Sequence, residues 1–521
     1  MGYYLNNESA YTIFYGAVES PYFVDKTEIL DEIIPRIGKT QRFICITRPR
    51  RFGKSIMASM LGAFFTRTSD ADGLFRKLKI GKSEEYRKHL NSHNVIYMDF
   101  SKTNDECCTY ADYIANIKEV LQDDIRSAYP DVNFRAKASI AEDLTRVNQQ
   151  KKERFIFILD EWDAIFHMPF ITDQDKERYL LFLRNLLKGN AFVELAYMTG
   201  ILPISKYSSG SELNDFQEYT MATKEMYSSY FGFTEEEVDE LYSRYVSREN
   251  APKVSRGELR TWYNGYHTVS GVRMYNPRSV VCALSDNQIS NYWTSAGPYD
   301  EIYYYIEKNI AEVRDDLALM TAGLAVPAKV QEYAATSMNL STRDEIFSAM
   351  VVYGFLSYEE GKVCIPNKEL MDKFRDMLKK ETSLGYVHRL AKESDRMLKA
   401  TKIGDIEAML EILEFAHDTE VPLLNYSNET DLTAILNLVY LSARDCYTVQ
   451  REDKAGIGFV DFIFYPDRRD DDCIILELKV DHTAEKAIRQ IKEKKYALSF
   501  QGKLGEEPRY TGRILGSRWL M

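Results

Sequence analysis

The sequence lacks the features of a membrane or exported protein. Its longest soft apolar stretch, Leu317 to Ala328, is interrupted by Gly323 and Pro327 and is far shorter than the roughly 20 residues that span a bilayer. Residues 1–10 contain neither a basic cluster nor an apolar run, so we expect no secretory signal. We therefore expect a cytoplasmic protein with no membrane partner.

Paired cysteines and an excess of basic charge are also missing. The seven cysteines never form a CxxC motif, which argues for reduced thiols and against a zinc site or a disulfide framework. With 67 Lys and Arg against 79 Asp and Glu, the net charge is −12. Any binding of nucleic acid must therefore be local. The 521 residues, 45% of them hydrophobic, predict a folded chain of several domains.

Short apolar runs alternate with long helical or polar stretches in the first part of the chain. The runs that we expect to be strands are Arg42–Thr47, Val95–Phe100, Phe155–Leu159 and Val193–Met198. Continuous apolar strands separated by helices are typical of a parallel sheet that is covered on both faces. We predict an α/β domain over residues 1–230.

The remaining chain predicts three further segments. Residues 231–330 show mostly helical periodicity and predict a helical lid, and residues 331–380 follow a winged-helix-like order of helix, hairpin and helix. Residues 381–521 predict a second α/β domain. It contains strands at Val460–Tyr465 and Cys473–Val480, a charged helix at Thr483–Ala497 and a final strand near Arg513–Gly516.

The first predicted strand and the next predicted helix enclose the loop Arg48-Pro-Arg-Arg-Phe-Gly-Lys-Ser55. In the register of a phosphate-binding loop, Gly53 lets the backbone approach a phosphate, Lys54 reaches the β- and γ-phosphates, and Ser55 ligates Mg²⁺. The usual first glycine is replaced by Arg48. The alternative is a basic turn before an amphipathic helix. We assign nucleotide contacts to Arg51, Phe52, Gly53, Lys54 and Ser55.

A second motif is the strand Phe155–Leu159, which ends in the acid pair Asp160 and Glu161. Asp160 would hold Mg²⁺, and Glu161 would orient the attacking water. Thr199, after the strand Val193–Met198, is placed to sense a γ-phosphate or is an ordinary turn threonine. Arg184 is an arginine-finger candidate whose alternative is a solvated helix arginine.

Together these motifs resemble a known family. The runs TRPRRFGKS, LDEWD, FVDKT, MTGILPIS, FGFTEEEV, WYNGY and YNPRSV are similar to those of the AAA-ATPase-like family of bacterial proteins that carry a C-terminal PD-(D/E)XK nuclease-like domain. The resemblance covers nearly the whole chain and implies ATP and Mg²⁺ as cofactors. In that family RPRRFGKS replaces the glycine-rich loop, so the resemblance implies that Arg48 is a family trait.

A carboxylate and lysine cluster lies near the C-terminus. Glu477 and Lys479 are two apart in a predicted strand and therefore share a face, and a neighbouring strand could bring Asp461 beside them. Such ligands suit Mg²⁺ or Mn²⁺, with Asp461 and Glu477 as the metal ligands and Lys479 beside the nucleophile. The alternative is an exposed cross-strand salt bridge.

The same resemblance extends to the helices around this cluster. It implies that Gln490, on the following charged helix, is an auxiliary active-site residue, and it offers Glu429, on the preceding helix, as a second candidate. Basic side chains on the following helix could hold phosphates or could simply be solvated; they are Lys486, Arg489, Lys492, Lys494 and Lys495.

We therefore expect an oligomeric P-loop ATPase coupled to Mg²⁺-dependent cleavage of nucleic acid, DNA rather than RNA. One alternative is a regulatory or remodelling ATPase whose nuclease-like domain binds nucleic acid without cutting it. Another is a protein-interaction module that binds nucleotide without turnover.

Overall fold

A computed structural model describes residues 2–204, 213–221, 224–293, 310–321, 323–330, 342–418, 435–455, 458–466 and 473–476. The chain divides into two compact units. The first contains Met1–Tyr305 and Pro327–Leu370, and the second contains Ile306–Val326 and Met371–Met521. The finer division into four segments stays a prediction.

A five-stranded parallel sheet organises the first unit. Its strands are β1 (Phe43–Thr47), β2 (Asn94–Asp99), β3 (Phe155–Asp160), β4 (Val193–Gly200) and β5 (Gln217–Tyr219), in the order β2-β3-β4-β1-β5. The first four match the apolar runs of the sequence, and the predicted α/β fold class is confirmed. The three-residue β5 was not predicted. Because all strands run the same way, their carboxyl ends meet at one edge.

Helices cover this sheet. They are Ser9–Val18, Ile29–Ile33, Lys54–Phe65, Asp72–Phe75, Tyr86–His89, Tyr110–Ala128, Ile140–Lys151 and Asp173–Leu187, with 3₁₀ turns at Ile34–Arg36, Lys79–Lys82, Ala164–His167 and Ser228–Tyr230. The helix Lys54–Phe65 buries Leu61, Phe64 and Phe65 completely in the core. This burial fixes the loop that precedes the helix against the centre of the sheet.

The first unit continues with helices Glu235–Arg248, Arg256–Tyr263 and Pro277–Ser285, and with a small hairpin of Tyr266–His267 and Arg273–Met274. A two-residue strand, Val326–Pro327, comes later in the chain. The helix Arg343–Tyr353, the hairpin of Ser357–Glu359 and Lys362–Cys364, and the helix Lys368–Lys380 follow. Their order is the helix, hairpin and helix that the sequence predicts.

The second unit contains helices and an antiparallel sheet. Its other helices are Ile310–Thr321, Tyr386–Ile403 and Ile406–Asp418, with 3₁₀ turns at Thr382–Leu384 and Leu441–Asp445. The strands Tyr447–Ala455, Gly458–Pro466 and Ile474–Leu476 pair in that order. The first of them, which is mostly polar, was not predicted. The charged helix and the final strand expected after residue 480 lie outside the described residues.

Within the described ranges, none of the helices combines the length and the apolar character needed to cross a membrane.

Arg48 is a structural link between β1 and β5. Its side chain is 1% exposed, and its Nη1 donates to the carbonyl oxygens of Thr47 and Tyr219 at 2.8 and 2.7 Å. The guanidinium also lies 5.1 Å from the centre of the Phe231 ring. Burial lowers the pKa of Arg48 to about 10. The residue that replaces the usual loop glycine therefore bonds to the sheet.

We predict that Arg48→Ala lowers the free energy of unfolding by about 2 kcal/mol or more. The reason is that an unsatisfied buried acceptor costs about 1–3 kcal/mol and the lost side chain leaves a cavity. Chemical denaturation measures the change, and Arg87→Ala, at an exposed arginine, is the control. Equal unfolding midpoints for the two variants would contradict this role.

Candidate functional site

The phosphate-binding loop has the backbone geometry that a phosphate needs. Gly53 precedes the helix Lys54–Phe65 with a φ of 88°, a left-handed conformation that glycine adopts without strain. No atom lies within 4 Å of the place where a Cβ would stand on Gly53. The space beside Gly53 is therefore open at the start of the helix, where free N–H groups can bind a phosphate, and the exposed Ser55 is part of the first turn.

Lys54 is held inside the loop. Its side chain is 4% exposed, and its Nζ donates to the carbonyl oxygens of Arg48 and Pro49 at 3.1 and 3.2 Å. Both acceptors are neutral carbonyl groups. A phosphate could replace them and form a stronger, charge-assisted hydrogen bond with the Lys54 ammonium. The ammonium is therefore positioned before any ligand arrives.

Three carboxylates meet at the carboxyl edge of the sheet beside this lysine. Asp160 ends β3, pairs in register with Asp99 at the end of β2, and is followed by Glu161. Burial raises the pKa of Asp160 to about 7, and the charges of Glu161 and Asp99 add to this, whereas a hydrogen bond with Ser55 and the Lys54 charge oppose it. Burial also raises the pKa of Glu161, and Lys54 opposes this shift. The edge thus concentrates negative charge next to the loop.

The next acid of the motif, Asp163, supports the end of β4. Its buried Oδ2 accepts from the backbone N–H groups of Ile201 and Leu202 at 2.9 and 2.7 Å. A Cβ on Gly200 would lie 2.5 Å from Asp163 Oδ1, so only glycine fits there. Thr199, fully buried beside Ile46 of β1, has a hydroxyl without a hydrogen-bond partner among the described residues. Asp163 thereby fixes the backbone that carries Thr199.

A cavity of about 630 Å³ adjoins the loop. Phe52, Gly53, Lys54, Ser55 and Glu161 line one part of it. The lining also includes further cations and several aromatic rings, namely Lys26, Arg50, Arg51 and Arg278, and Phe14, Tyr22, Phe23, Tyr230, Phe233, Trp293, Tyr353 and Phe355. A site of this size with a few convergent charges and an apolar remainder suits a ligand with phosphates and a planar base.

Several of these residues were not selected from the sequence. Asp99 ends an apolar strand as Asp160 does, and this is a signal that could have found it. Arg278 lies within the YNPRSV run and Phe23 within FVDKT. The sequence of neither run indicates that these side chains line the cavity. Arg184 is half-buried on the helix Asp173–Leu187 and is not part of the cavity lining.

The structure covers only part of the second predicted site. Asp461 lies in the strand Gly458–Pro466, next to Phe462, which pairs with Leu476. The other predicted residues, Glu477, Lys479, Gln490 and Glu429, lie outside the described residues. Their roles stay predictions.

Comparison with known families agrees with this organisation. A family model described as a predicted AAA-ATPase, AAA-ATPase-like, matches residues 17–209, and a model of the PD-(D/E)XK nuclease superfamily matches residues 430–508. The chain therefore carries an AAA-ATPase-like domain and a PD-(D/E)XK nuclease superfamily domain. The first match contains the phosphate-binding loop and the acid pair, and the second contains Asp461, Glu477, Lys479 and Gln490.

One curated relative is an uncharacterized protein in the vnfD 5′ region of Azotobacter chroococcum mcd 1. It is 26% identical over 281 residues, which cover 53% of this chain and 51% of that protein. The match thus spans about half the length of this curated relative.

Three solved structures are among those that match part of the chain. The Walker-type ATPase of Pyrococcus abyssi has a TM-score of 0.38 at 12% identity and covers 67% of this chain and 94% of its own. Cdc6p of Pyrobaculum aerophilum has a TM-score of 0.28 at 10% identity, covering 67% and 92%. The ORC2 protein of Aeropyrum pernix has a TM-score of 0.34 at 10% identity, covering 67% and 91%.

We predict that Lys54→Ala in the AAA-ATPase-like domain removes nucleotide binding, because the loop loses its positioned ammonium. Calorimetric titration with ATP and Mg²⁺ measures the affinity. Lys118→Ala, on the helix Tyr110–Ala128 outside the cavity lining, is the control. An affinity equal to that of the parent in the Lys54 variant would refute the assignment of the loop.

Proposed function

We propose that the AAA-ATPase-like domain binds and hydrolyses ATP with Mg²⁺. The observation that carries this proposal is the cavity that Lys54, Ser55 and Glu161 line together. These residues come from the loop after β1 and the acid pair after β3, two segments far apart in sequence. A hydroxyl and a carboxylate in one cavity of nucleotide size match the parts of a phosphoryl-transfer site.

The residues present fit a divalent cation. Burial, and then the charges of Glu161 and Asp99, raise the pKa of Asp160, and a bound cation would stabilise the ionised carboxylates. Ser55 and Asp160 supply the hard oxygen ligands that Mg²⁺ prefers. When bound, Mg²⁺ would neutralise charge on the β- and γ-phosphates.

The other side chains divide the remaining work. Lys54 binds the phosphates, Thr199 senses the γ-phosphate with its free hydroxyl, and Glu161 orients the attacking water. Glu161 is half-buried, lines the cavity and has a φ of 51°. A left-handed backbone at a glutamate costs free energy and is retained where the fold needs that orientation. In this proposal the orientation serves hydrolysis.

We predict that Glu161→Gln binds ATP with nearly the parental affinity but hydrolyses it at least about tenfold more slowly, because the amide keeps the shape and loses the charge that orients water. Phosphate release under single-turnover conditions measures the rate, and Glu177→Gln, at an exposed site, is the control. Parental hydrolysis by Glu161→Gln would assign the residue another role.

We further propose that the C-terminal domain cleaves nucleic acid, DNA rather than RNA, in a divalent-metal-dependent reaction. The match of residues 430–508 to the PD-(D/E)XK nuclease superfamily supports it, as does the presence of the acids and the lysine of the motif in the sequence. In this proposal Asp461 and Glu477 would hold Mg²⁺ or Mn²⁺, and Lys479 and Gln490 would assist the reaction. We also propose a homo-oligomer in which the nucleotide state controls assembly or access to DNA.

Two other functions remain as alternatives to cleavage under ATP control. In one, a regulatory or remodelling ATPase uses the nuclease-like domain only to bind nucleic acid. In the other, the phosphate-binding loop holds nucleotide without turnover and the chain is an interaction module. The acids and lysines of both predicted sites are present in the sequence, namely Lys54, Asp160 and Glu161 in one and Asp461, Glu477 and Lys479 in the other, and this favours turnover and cleavage.

We predict that Asp461→Ala, Glu477→Ala and Lys479→Ala each abolish cleavage while ATP hydrolysis stays nearly parental, since the first two changes remove metal ligands and the third removes the charge beside the nucleophile. The purified protein is incubated with ATP, Mg²⁺ and single- or double-stranded DNA or RNA, and the products are separated by size.

A chelator should stop the reaction. Binding without cutting by the parent would favour the regulatory alternative. Cutting by all three folded variants would remove this site from the account. An exposed salt bridge, by contrast, would change only stability, by roughly 0–1 kcal/mol.

A further inference from the structure

A buried glutamate lies at the start of the helix Lys368–Lys380. Glu369 is 1% exposed, although glutamate is almost never fully buried without partners. Burial raises its pKa to about 7, while hydrogen bonds from Trp293, Ser279 and Tyr292 oppose the shift. Burying a carboxyl group at this position therefore costs the first unit free energy of folding.

Among the residues that the structure describes, the hydrogen-bond partners of this carboxyl group come from the segment before residue 294. The fully buried Ser279 donates through its hydroxyl to the two carboxyl oxygens at 3.1 and 2.9 Å. The backbone N–H groups of Tyr292 and Trp293 donate to Oε1 at 2.6 and 2.7 Å. In addition, Asn291 Nδ2 donates to the Glu369 carbonyl at 2.8 Å. Glu369 thus fixes two consecutive peptide groups.

Those two residues in turn contact the phosphate-binding loop. The carbonyl oxygen of Tyr292 accepts a hydrogen bond from Arg51 Nη1, and the Trp293 indole N–H donates to the Arg50 carbonyl at 3.4 Å. Arg51 has a φ of 70°, so its conformation needs outside support. Burial lowers the pKa of Arg51 and the nearby Arg278 adds to this, whereas the Glu369 charge opposes it.

We propose that Glu369 is a positioning residue for the phosphate-binding loop, acting through Tyr292 and Trp293 on Arg50 and Arg51. This inference rests on the proposed binding of nucleotide. It adds that the Glu369 carboxylate, through the backbone N–H groups of Tyr292 and Trp293, holds the loop in the conformation that binds the nucleotide.

The experiment compares Glu369→Ala with Glu369→Gln in the full chain. Alanine removes every acceptor, whereas the glutamine amide oxygen still accepts from the two backbone N–H groups and its NH₂ group can face Ser279. We expect Glu369→Ala to weaken binding of a non-hydrolysable ATP analogue with Mg²⁺ by about tenfold or more. Glu369→Gln should restore most of the affinity, and Asp376→Ala, at an exposed site on the same helix, should leave it unchanged.

Hydrogen exchange supplies the second measurement. The amides of Tyr292 and Trp293 should exchange faster in Glu369→Ala than in the parent or in Glu369→Gln. If Glu369→Ala does not fold, Ser279→Ala removes one donor alone and should weaken binding in the same direction by a smaller factor. If Glu369→Ala folds and binds the analogue with the affinity of the parent, the inference is wrong. If only Ser279→Ala folds, an affinity equal to that of the parent in this variant has the same meaning. A parent chain that does not bind the analogue overturns the proposed function and this inference together.

Discussion

The first unit depends on the placement of opposite charges at the carboxyl edge of its parallel sheet. Lys54 and the acids Asp160 and Glu161 are all removed from most solvent there, and burial makes unpaired charge expensive. Burial and the neighbouring carboxylates raise the pKa of Asp160 to about 7, against the opposing charge of Lys54. A ligand that carries phosphates and a divalent cation would stabilise this edge, because the phosphates would pair with Lys54 and the cation with the carboxylates.

The rest of the unit can be understood as support for that edge. Arg48, at the end of β1, donates a hydrogen bond to β5, and Asp163 accepts a hydrogen bond from the backbone after β4. Tyr292 and Trp293 contact the loop, and the carboxylate of Glu369 accepts hydrogen bonds from the backbone N–H groups of both. These hydrogen bonds fix the positions of the charged groups in a region of low dielectric, where electrostatic interactions are strong.

Much of this arrangement could be predicted from local sequence. The four apolar runs, the loop and the terminal acids follow from strand and helix periodicity, because each feature lies within a short window. Arg278 and Glu369 were not selected, because their importance comes from contacts between segments that are distant in sequence. The short strand β5 and the polar strand Tyr447–Ala455 carry too weak an apolar pattern to be recognised. Arg48 departs from the glycine pattern because its side chain bonds to the sheet.

The proposal that the loop and the acid pair form one nucleotide site can be tested by hydrogen exchange of the full chain, with and without a non-hydrolysable ATP analogue and Mg²⁺. We expect the analogue to slow the exchange of the amides of residues 50–56 and of those that follow β3, with little change on the helix Ile140–Lys151. Unchanged exchange in the loop at a saturating concentration of the analogue would show that the loop does not bind the nucleotide.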